Sequence, residues 1–543
     1  MATDPVSGSE FLEREDILNL LTKRLTALKQ GYRQNMALIG PRAVGKSSIL
    51  NRFLPHVEDP SLISIFVDVP SDGSLDLFVK RFMGGSLRGL LKSKGEELPW
   101  DVTELIQRVK KYVPKTVRHM RAALKLVNLG RNDEAYREVL AIPRILREEA
   151  DCRAVLLLDS FSHLEMLPVR DPFGIFGKEI MVDKDTMYVV ASAYPLKSRS
   201  IFREKLNLLF GNFEILEIKN FDFTSASRII HQKLDPYQVN RLQEDFLIQM
   251  TDAQPFYLNV ILKRIEDLLR LNSRDSLTQD LIFQAFVDEA LNPSGKIHNH
   301  FQSILPAFPR TRNYFNPIQI LSAVALGHRK IQQIAKFLSR KISDTQKAAQ
   351  KLLEEEILQK EGALFVIQDT LFRFWLRHVI SLGQLGLETE ADRREEYFKH
   401  ELELQFKVYE EEIAKDLPKR VEELFRTFTG ETISIGTSKI LCPSFHEVIF
   451  RPTNGRVFPV FARSPKGSWL CQIASKPIRE DDIRIFMEDV KKQGARVFRK
   501  VVVALSGIDL NATLMAKDSK IFVWDLKNFN RLLEIYDRPK VIL

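Results

Sequence analysis

The sequence predicts an α/β protein whose core is a three-layer αβα sandwich, with helices on both faces of a parallel sheet. Three observations predict it. An apolar run, Met36 to Ile39, enters a glycine loop that opens into an amphipathic helix. A second run, Arg153-Ala-Val-Leu-Leu-Leu-Asp159, is fully apolar and ends in an acid. Further β-branched runs at 61–69 and 187–192 alternate with helical stretches, the order of a doubly wound sheet.

The glycine loop carries the chemistry. It matches G-x-x-x-x-G-K-[ST] at Gly40, Gly45, Lys46 and Ser47. The glycines permit a tight loop whose N–H groups point inward at phosphate. That cradle runs from Gly40 through Pro41, Arg42, Ala43 and Val44 to Gly45, and on to Ser48. The helix starting near Lys46 adds the positive end of its dipole. Lys46 reaches the β- and γ-phosphates of a nucleotide, and the Ser47 hydroxyl ligates Mg²⁺. Asp159 fits the Walker B pattern: at the strand's C-terminal end it is expected beside the loop, where it can hold Mg²⁺ through water, although a structural aspartate after a strand is also common.

Bulk properties bound the rest. A chain of 543 residues exceeds one core, so several domains are expected. It is 44% hydrophobic and 28% charged, ordinary for a soluble globular protein. No run approaches the ~18–20 apolar residues of a membrane span, and the first residues lack the pattern of a signal peptide. Cys152, Cys442 and Cys471 are scattered and odd in number, which points to reduced thiols and a cytoplasmic location. The net charge of +9 permits a polyanionic partner without demanding one.

Taken in order, residues 9–30 have apolar positions at helical spacing after an acidic start. Residues 61–69 read as a buried strand, and 76–150 as a helical insertion. From Arg81 to Arg131 twelve bases face four acids; a nucleic-acid or partner face and a solvated helix surface both explain this. Residues 187–195 give a third core strand, and Phe213-Glu-Ile-Leu-Glu-Ile alternates like a strand. A helical region follows from 223, with Pro255 opening one of its helices. Between 299 and 380 three amphipathic helices (315–326, 329–338, 343–358) precede two short strands around Gly362, the order of a winged helix. Its third helix carries Thr345, Gln346, Lys347, Gln350 and Lys351, where a recognition helix would meet duplex DNA; a winged helix used for protein packing has the same pattern. Phe372, Phe374 and Trp375 read as core aromatics.

These motifs together resemble the archaeal-type ATPase family, a STAND branch of the AAA+ ATPases. The resemblance covers roughly residues 8–385. It rests on the loop with Pro41-Arg42, the Asp159 strand, the Pro255 turn and Asp369-Thr-Leu-Phe-Arg-Phe-Trp375. Glu13-Arg14-Glu15 is similar to the Arg-Glu segment that lies near the adenine in that family, although an ordinary capped helix looks the same. The resemblance implies that Ser192, at the end of its strand, senses the γ-phosphate, and that Arg199 and Arg203 are the nearest arginine-finger candidates beside a plain surface role. It implies a catalytic glutamate after Asp159; this chain has Ser160, which takes no proton at neutral pH. Glu165, five residues on, substitutes only if the loop folds back.

Residues 386–430 read as a charged helical connector, with helices at 388–397 and 410–426. From 431 the order of strands and helices resembles a restriction-endonuclease-like PD-(D/E)xK domain. The strand that would carry the acid-x-Lys pair reads Leu-Cys-Gln-Ile-Ala-Ser-Lys476, with Gln472 and Ala474 at the two places. The expectation is an inactive nuclease fold used for binding; Glu447 and Lys476 are the remaining candidates for an active one.

The expected organisation is therefore a P-loop core at 8–222, a helical lid at 223–298, a winged helix at 299–385, the connector at 386–430 and the nuclease-like domain at 431–543. The expected activity is a nucleotide-dependent switch using ATP and Mg²⁺, associated with DNA, a protein partner or further copies of itself, and slow to hydrolyse. A non-hydrolysing ATP-binding scaffold is the alternative.

Overall fold

The computed structural model describes residues 14–57, 59–99, 102–206, 213–305, 316–380, 391–435, 438–450, 457–474, 476–492 and 497–542. They fall into two compact units: the chain up to Phe221 together with Gln254–Phe256, and the remainder. Glu13, residue 315 of the first predicted winged-helix helix and the start of the connector at 386–390 lie outside the described residues.

The first unit is the three-layer α/β sandwich. Its strands are β1 (Asn35–Ile39), β2 (Leu62–Asp68), β3 (Arg153–Asp159), β4 (Thr186–Ser192) and β5 (Phe213–Glu217), in the order β2-β3-β4-β1-β5. All four pairings are parallel. Side chains along a strand alternate between the faces, and the two cores divide accordingly. Ala37, Ile39, Ile63, Ile65, Leu156 and Leu158 join the core on the side of helix Leu75–Ser93. Met36, Leu38, Val155, Leu157 and Val189 join the opposite core, with helices Glu15–Lys29 and Lys46–Phe53. Burial on both faces is why these strands read as unbroken apolar runs.

Helix Leu75–Ser93 packs on β2 by backbone approach. It starts at Ser74, whose hydroxyl accepts the Leu77 N–H at 3.2 Å. One turn apart, Gly85 and Gly89 face the strand. A Cβ on Gly85 would lie 2.4 Å from the Phe66 carbonyl oxygen, and one on Gly89 1.9 Å from that of Ser64. Four helices follow before β3: Val102–Lys110, Pro114–Asn128, Asn132–Leu140 and Ile142–Ala150. Their buried residues, Val109, Met120, Tyr136 and Leu146, extend the same core.

The second unit begins with helices Phe223–Lys233, Arg241–Thr251 and Gln279–Phe286, and includes helix Pro255–Leu271 from Tyr257 on. Helices Ile318–Ala325, Ile331–Phe337 and Ile342–Glu354 precede the hairpin β6 (Gln359–Glu361) and β7 (Leu364–Val366), turned at Gly362 with φ +63°. Phe372, Phe374 and Trp375 are buried, as core aromatics should be.

The connector departs from the expected pair of helices. One helix, Ala391–Ala414, runs through the predicted gap. Phe398, Leu402, Phe406 and Tyr409 recur every three or four residues and are buried, so an apolar stripe carries the helix onward. The break falls instead at Asp416, whose carboxylate accepts the Lys419 N–H at 3.0 Å with Pro418 in the first turn of helix Leu417–Arg426.

A hairpin then forms, β8 (Glu431–Ile435) with β9 (Ser438–Cys442), which the sequence pattern left unassigned. The last sheet holds β10 (Glu447–Phe450), β11 (Val457–Ser464), β12 (Gly467–Ala474), β13 (Val497–Ala504) and β14 (Ile521–Asp525), in that order. The first two pairings are antiparallel and the last two parallel. Helices Glu480–Lys492 and Leu510–Asp518 cover one face, and Leu417–Arg426 and Leu526–Ile535 the other. The C-terminal residues tie this unit together. Asp537 pairs with Arg329 at 3.1 Å and with Arg373 and Arg377 at 3.0 Å each. Arg538 pairs with Glu412 and Glu423, and Lys540 with Asp252.

Alanine gains about 1 kcal/mol of helix propensity over glycine, but overpacking costs typically ~1–3 kcal/mol. Gly89→Ala is therefore expected to lower the melting temperature. Thermal denaturation checks this, and an unchanged or higher value would contradict the backbone contact.

Candidate functional site

β1 ends at Ile39 and the chain turns at once into the loop. Gly40 passes so close to the β5 end that a Cβ would lie 2.1 Å from the Ile218 carbonyl oxygen. Its N–H donates to the Ser192 carbonyl oxygen at 3.2 Å, so the loop starts from the end of β4 as well. Ala43 and Gly45 both adopt left-handed backbone, φ +60° and +92°. Gly45 suits this without cost. Val44 is fully buried between them and anchors the loop. The helix Lys46–Phe53 then starts at the loop's rim, with Gly45 as its N-cap.

Lys46 is only 6% exposed. Its ammonium donates to the Gly40 carbonyl oxygen at 2.8 Å and to the Pro41 carbonyl oxygen. Burial lowers its pKa from 10.5 to about 7, against the opposing pull of Asp159; Arg42 lowers it further. Asp159 ends β3 at 9% exposure. Burial pushes its carboxyl above the usual range. The Ser47 hydroxyl, the Ser160 N–H at 2.8 Å and the Lys46 charge oppose that shift, while Asp68 adds to it. Ser47 and Asp159 thus bring a hydroxyl and a carboxylate together, hard oxygen donors of the kind Mg²⁺ takes.

Asp68 and His163 are two residues the sequence reading missed. Asp68 ends β2, directly paired with Asp159. Its signal was an apolar run closing on an acid, the same pattern as β3. Arg81 donates to its carboxylate at 2.7 Å and to its backbone oxygen at 2.8 Å. The His163 ring is held below its ordinary pKa by burial, with the charges of Asp68, Arg42 and Lys197 close enough to act on it. The Arg42 guanidinium lies 5.0 Å over the Tyr194 ring and donates to its hydroxyl. Gln254 donates to the Arg42 carbonyl oxygen at 3.4 Å, so the residue before Pro255 reaches the loop.

The remaining predicted positions have local partners. Ser160 is left-handed (φ +56°) and opens a short turn. Glu165 is ion-paired with Lys197 at 2.7 Å. Ser192 is buried and accepts the Ser198 hydroxyl at 2.6 Å. Arg199 pairs with Glu217 and Arg203 with Glu204. Arg14 packs over the Phe221 ring at 4.8 Å.

Outside the loop, helix Pro114–Asn128 holds no acid and exposes Lys115, Arg118, Arg121 and Lys125. In helix Ile342–Glu354, Gln346, Lys347, Gln350 and Lys351 are exposed, but Thr345 is buried with its hydroxyl on the Lys341 carbonyl oxygen. Full burial removes its side chain from any groove contact. Two bases of this region are already paired, Arg329 with Asp537 and Lys330 with Glu431. In the last sheet Gln472 is 2% exposed, and its side-chain oxygen meets no hydrogen-bond partner among the described residues. Ala474 is buried beside it, Glu447 pairs with Arg463 at 2.8 Å, and Lys476 is exposed. No group of three or more His, Cys, Asp or Glu among the described residues is placed to hold a metal ion, and none of their helices is long and apolar enough to cross a membrane.

The fold and the loop define the class: a P-loop protein with a parallel αβα core. No protein-family model matches the sequence, and no curated protein matches it. Solved structures are similar in fold. The Walker-type ATPase PABY2304 of Pyrococcus abyssi aligns at TM-score 0.46 and 16% identity, over 69% of this chain and 99% of that one. The ORC2 protein of Aeropyrum pernix, in its ADPNP–ADP complexes, aligns at 0.43 and 13%, over 74% and 97%. The RuvB Holliday junction branch migration motor of Thermotoga maritima aligns at 0.32 and 14%, over 71% and 98%.

Because the Lys46 pKa is lower in the fold than in the unfolded chain, the unfolded state binds more protons between pH 7 and 10. Stability relative to Lys46→Met should then climb as pH rises through that window, by at most ~1.4 kcal/mol per pH unit. Paired denaturation curves at pH 7 and 9 check this; a difference that stays flat would contradict the buried charge.

Proposed function

We propose that this chain is a Mg-ATP-binding P-loop ATPase of the AAA+/STAND kind, working as a nucleotide-dependent switch with slow or partner-dependent hydrolysis. The observation that carries the reading is the buried Lys46 ammonium, held between loop carbonyls and Asp159 at the mouth of the loop. Such a cation at a helix N-terminus favours a polyphosphate. In this reading the loop from Gly40 to Ser48 holds the phosphates, and Lys46 leaves the Gly40 and Pro41 carbonyls to meet them. Ser47 and Asp159 hold Mg²⁺, whose charge supplies neutralisation of the phosphate oxygens when it is bound. Ser192, hydrogen-bonded to Ser198, reports the γ-phosphate to the turn that follows β4.

The residues from 223 to 298 act as a lid, those from 299 to 385 as a winged helix, and those from 431 to 543 as a nuclease-like fold kept for binding. Duplex DNA is the partner the charge favours. The acid-free face of helix Pro114–Asn128 and the exposed Lys347 suit a phosphate backbone. A non-hydrolysing scaffold is the second reading, favoured by Ser160 in the catalytic glutamate's place and by Glu165 being committed to Lys197.

Steady-state hydrolysis with and without duplex DNA tests both. The expected result is ATP binding with turnover well below the ~10 s⁻¹ typical of enzymes, raised by DNA and lost in Asp159→Ala. Lys46→Ala should weaken ATP binding by about tenfold or more, near 1.4 kcal/mol. Tight binding without turnover under either condition would favour the scaffold, and no ATP binding would overturn the proposal.

A further inference from the structure

Ser160 stands where the resemblance implies a catalytic glutamate, and an acid closes the neighbouring strand. We infer that Asp68, at the C-terminal end of β2, is the carboxylate that orients and deprotonates the water attacking the γ-phosphate. The inference rests on the reading of ATP at the P-loop and deepens it.

The geometry favours Asp68 over its rivals. In the parallel pairing of β2 with β3, Asp68 is the direct partner of Asp159. Paired residues of neighbouring strands put their side chains on the same face, with strands ~4.8 Å apart. Asp159 faces the loop, since the Ser47 hydroxyl bonds to it. Asp68 therefore faces the same side, one strand further out, and the next residue ties the two strand ends together: the Val69 N–H donates to the Asp159 carbonyl oxygen at 3.1 Å. Unlike Asp159, Asp68 is open to solvent, with half of its side chain exposed, so water reaches it.

Its orientation is fixed as well. Arg81 binds both Oδ2 and the backbone oxygen of Asp68, while Oδ1 accepts no hydrogen bond among the described residues. One carboxylate oxygen is anchored and the other is left to a water molecule. Arg81 comes from helix Leu75–Ser93, whose place on β2 is fixed by Gly85 and Gly89. Glu165 has no such arrangement: it sits on the turn after β3 in an ion pair with Lys197. Ser160 has no carboxylate.

The step balances. Asp68 Oδ1 accepts a hydrogen bond from water. The water oxygen forms a bond to the γ-phosphorus as the bond from that phosphorus to the β–γ bridging oxygen breaks, and the bridging oxygen keeps the electron pair. One water proton passes to Asp68 and then to bulk solvent. The other stays on the released hydrogen phosphate, and ADP is the leaving group.

The test compares wild type with Asp68→Asn, measuring ATP affinity by nucleotide titration and turnover by phosphate release, with and without duplex DNA. The expected result is a loss of turnover of about 10²–10⁴-fold, the usual worth of a general base, with affinity unchanged within about twofold. Turnover within threefold of wild type would overturn the assignment. So would a wild type that binds ATP and never hydrolyses it, which leaves nucleotide binding intact. Failure of the wild type to bind ATP would sink the P-loop reading itself, a distinct result. Should Asp68→Asn melt early, Asp68→Ser serves as the second variant with the same two readouts.

Discussion

A lysine ammonium buried at the end of a parallel sheet is the constraint on which the rest of this structure depends. Lys46 is desolvated enough to bring its pKa to about 7, and the fold tolerates it through two loop carbonyls and the nearby Asp159. Charge burial on this scale is destabilising unless compensated. Four strands of the first unit position the groups around it. β1 delivers the loop, β3 delivers Asp159, β4 fixes Gly40 through the Ser192 carbonyl oxygen, and β5 leaves room for it only because Gly40 has no side chain. The sandwich can be read as a frame that keeps one cation desolvated and ready to exchange its carbonyl partners for phosphate oxygens.

The loop was legible in the sequence because its chemistry is compressed into nine contiguous residues. The sandwich was legible for a related reason: strands buried on both faces write themselves as apolar runs. What escaped depends on contacts far apart in the chain. Asp68 closes an apolar run just as Asp159 does, but its importance comes from β2 lying beside β3, which spacing alone does not reveal. The pairing of Glu165 with Lys197 and of Arg199 with Glu217 was equally hidden, since each depends on how a turn folds back. In the connector the sequence was sufficient and the reading was not. The stripe of Phe398, Leu402, Phe406 and Tyr409 continues the helix across the gap between the two expected helices.

The second unit uses charge differently. Asp537 gathers three arginines, Arg329, Arg373 and Arg377, that come from the region before the hairpin and from the aromatic helix after it. Burial raises the cost of each charge, and the arginines together hold the Asp537 carboxyl below its usual range. Lys540, three residues on, pairs with Asp252, and Gln254 two residues beyond Asp252 bonds to the loop at Arg42. Arg373, a member of the Asp369–Trp375 motif, is buried with its guanidinium on Asp537 and on the Ile367 carbonyl oxygen.

The most direct measurement is a crystal structure with Mg²⁺ and a non-hydrolysable ATP analogue. The account predicts a triphosphate in the loop from Gly40 to Ser48, with the Lys46 ammonium moved off the Gly40 and Pro41 carbonyls onto phosphate oxygens. A Lys46 still bound to both carbonyls, with the analogue elsewhere, would contradict it.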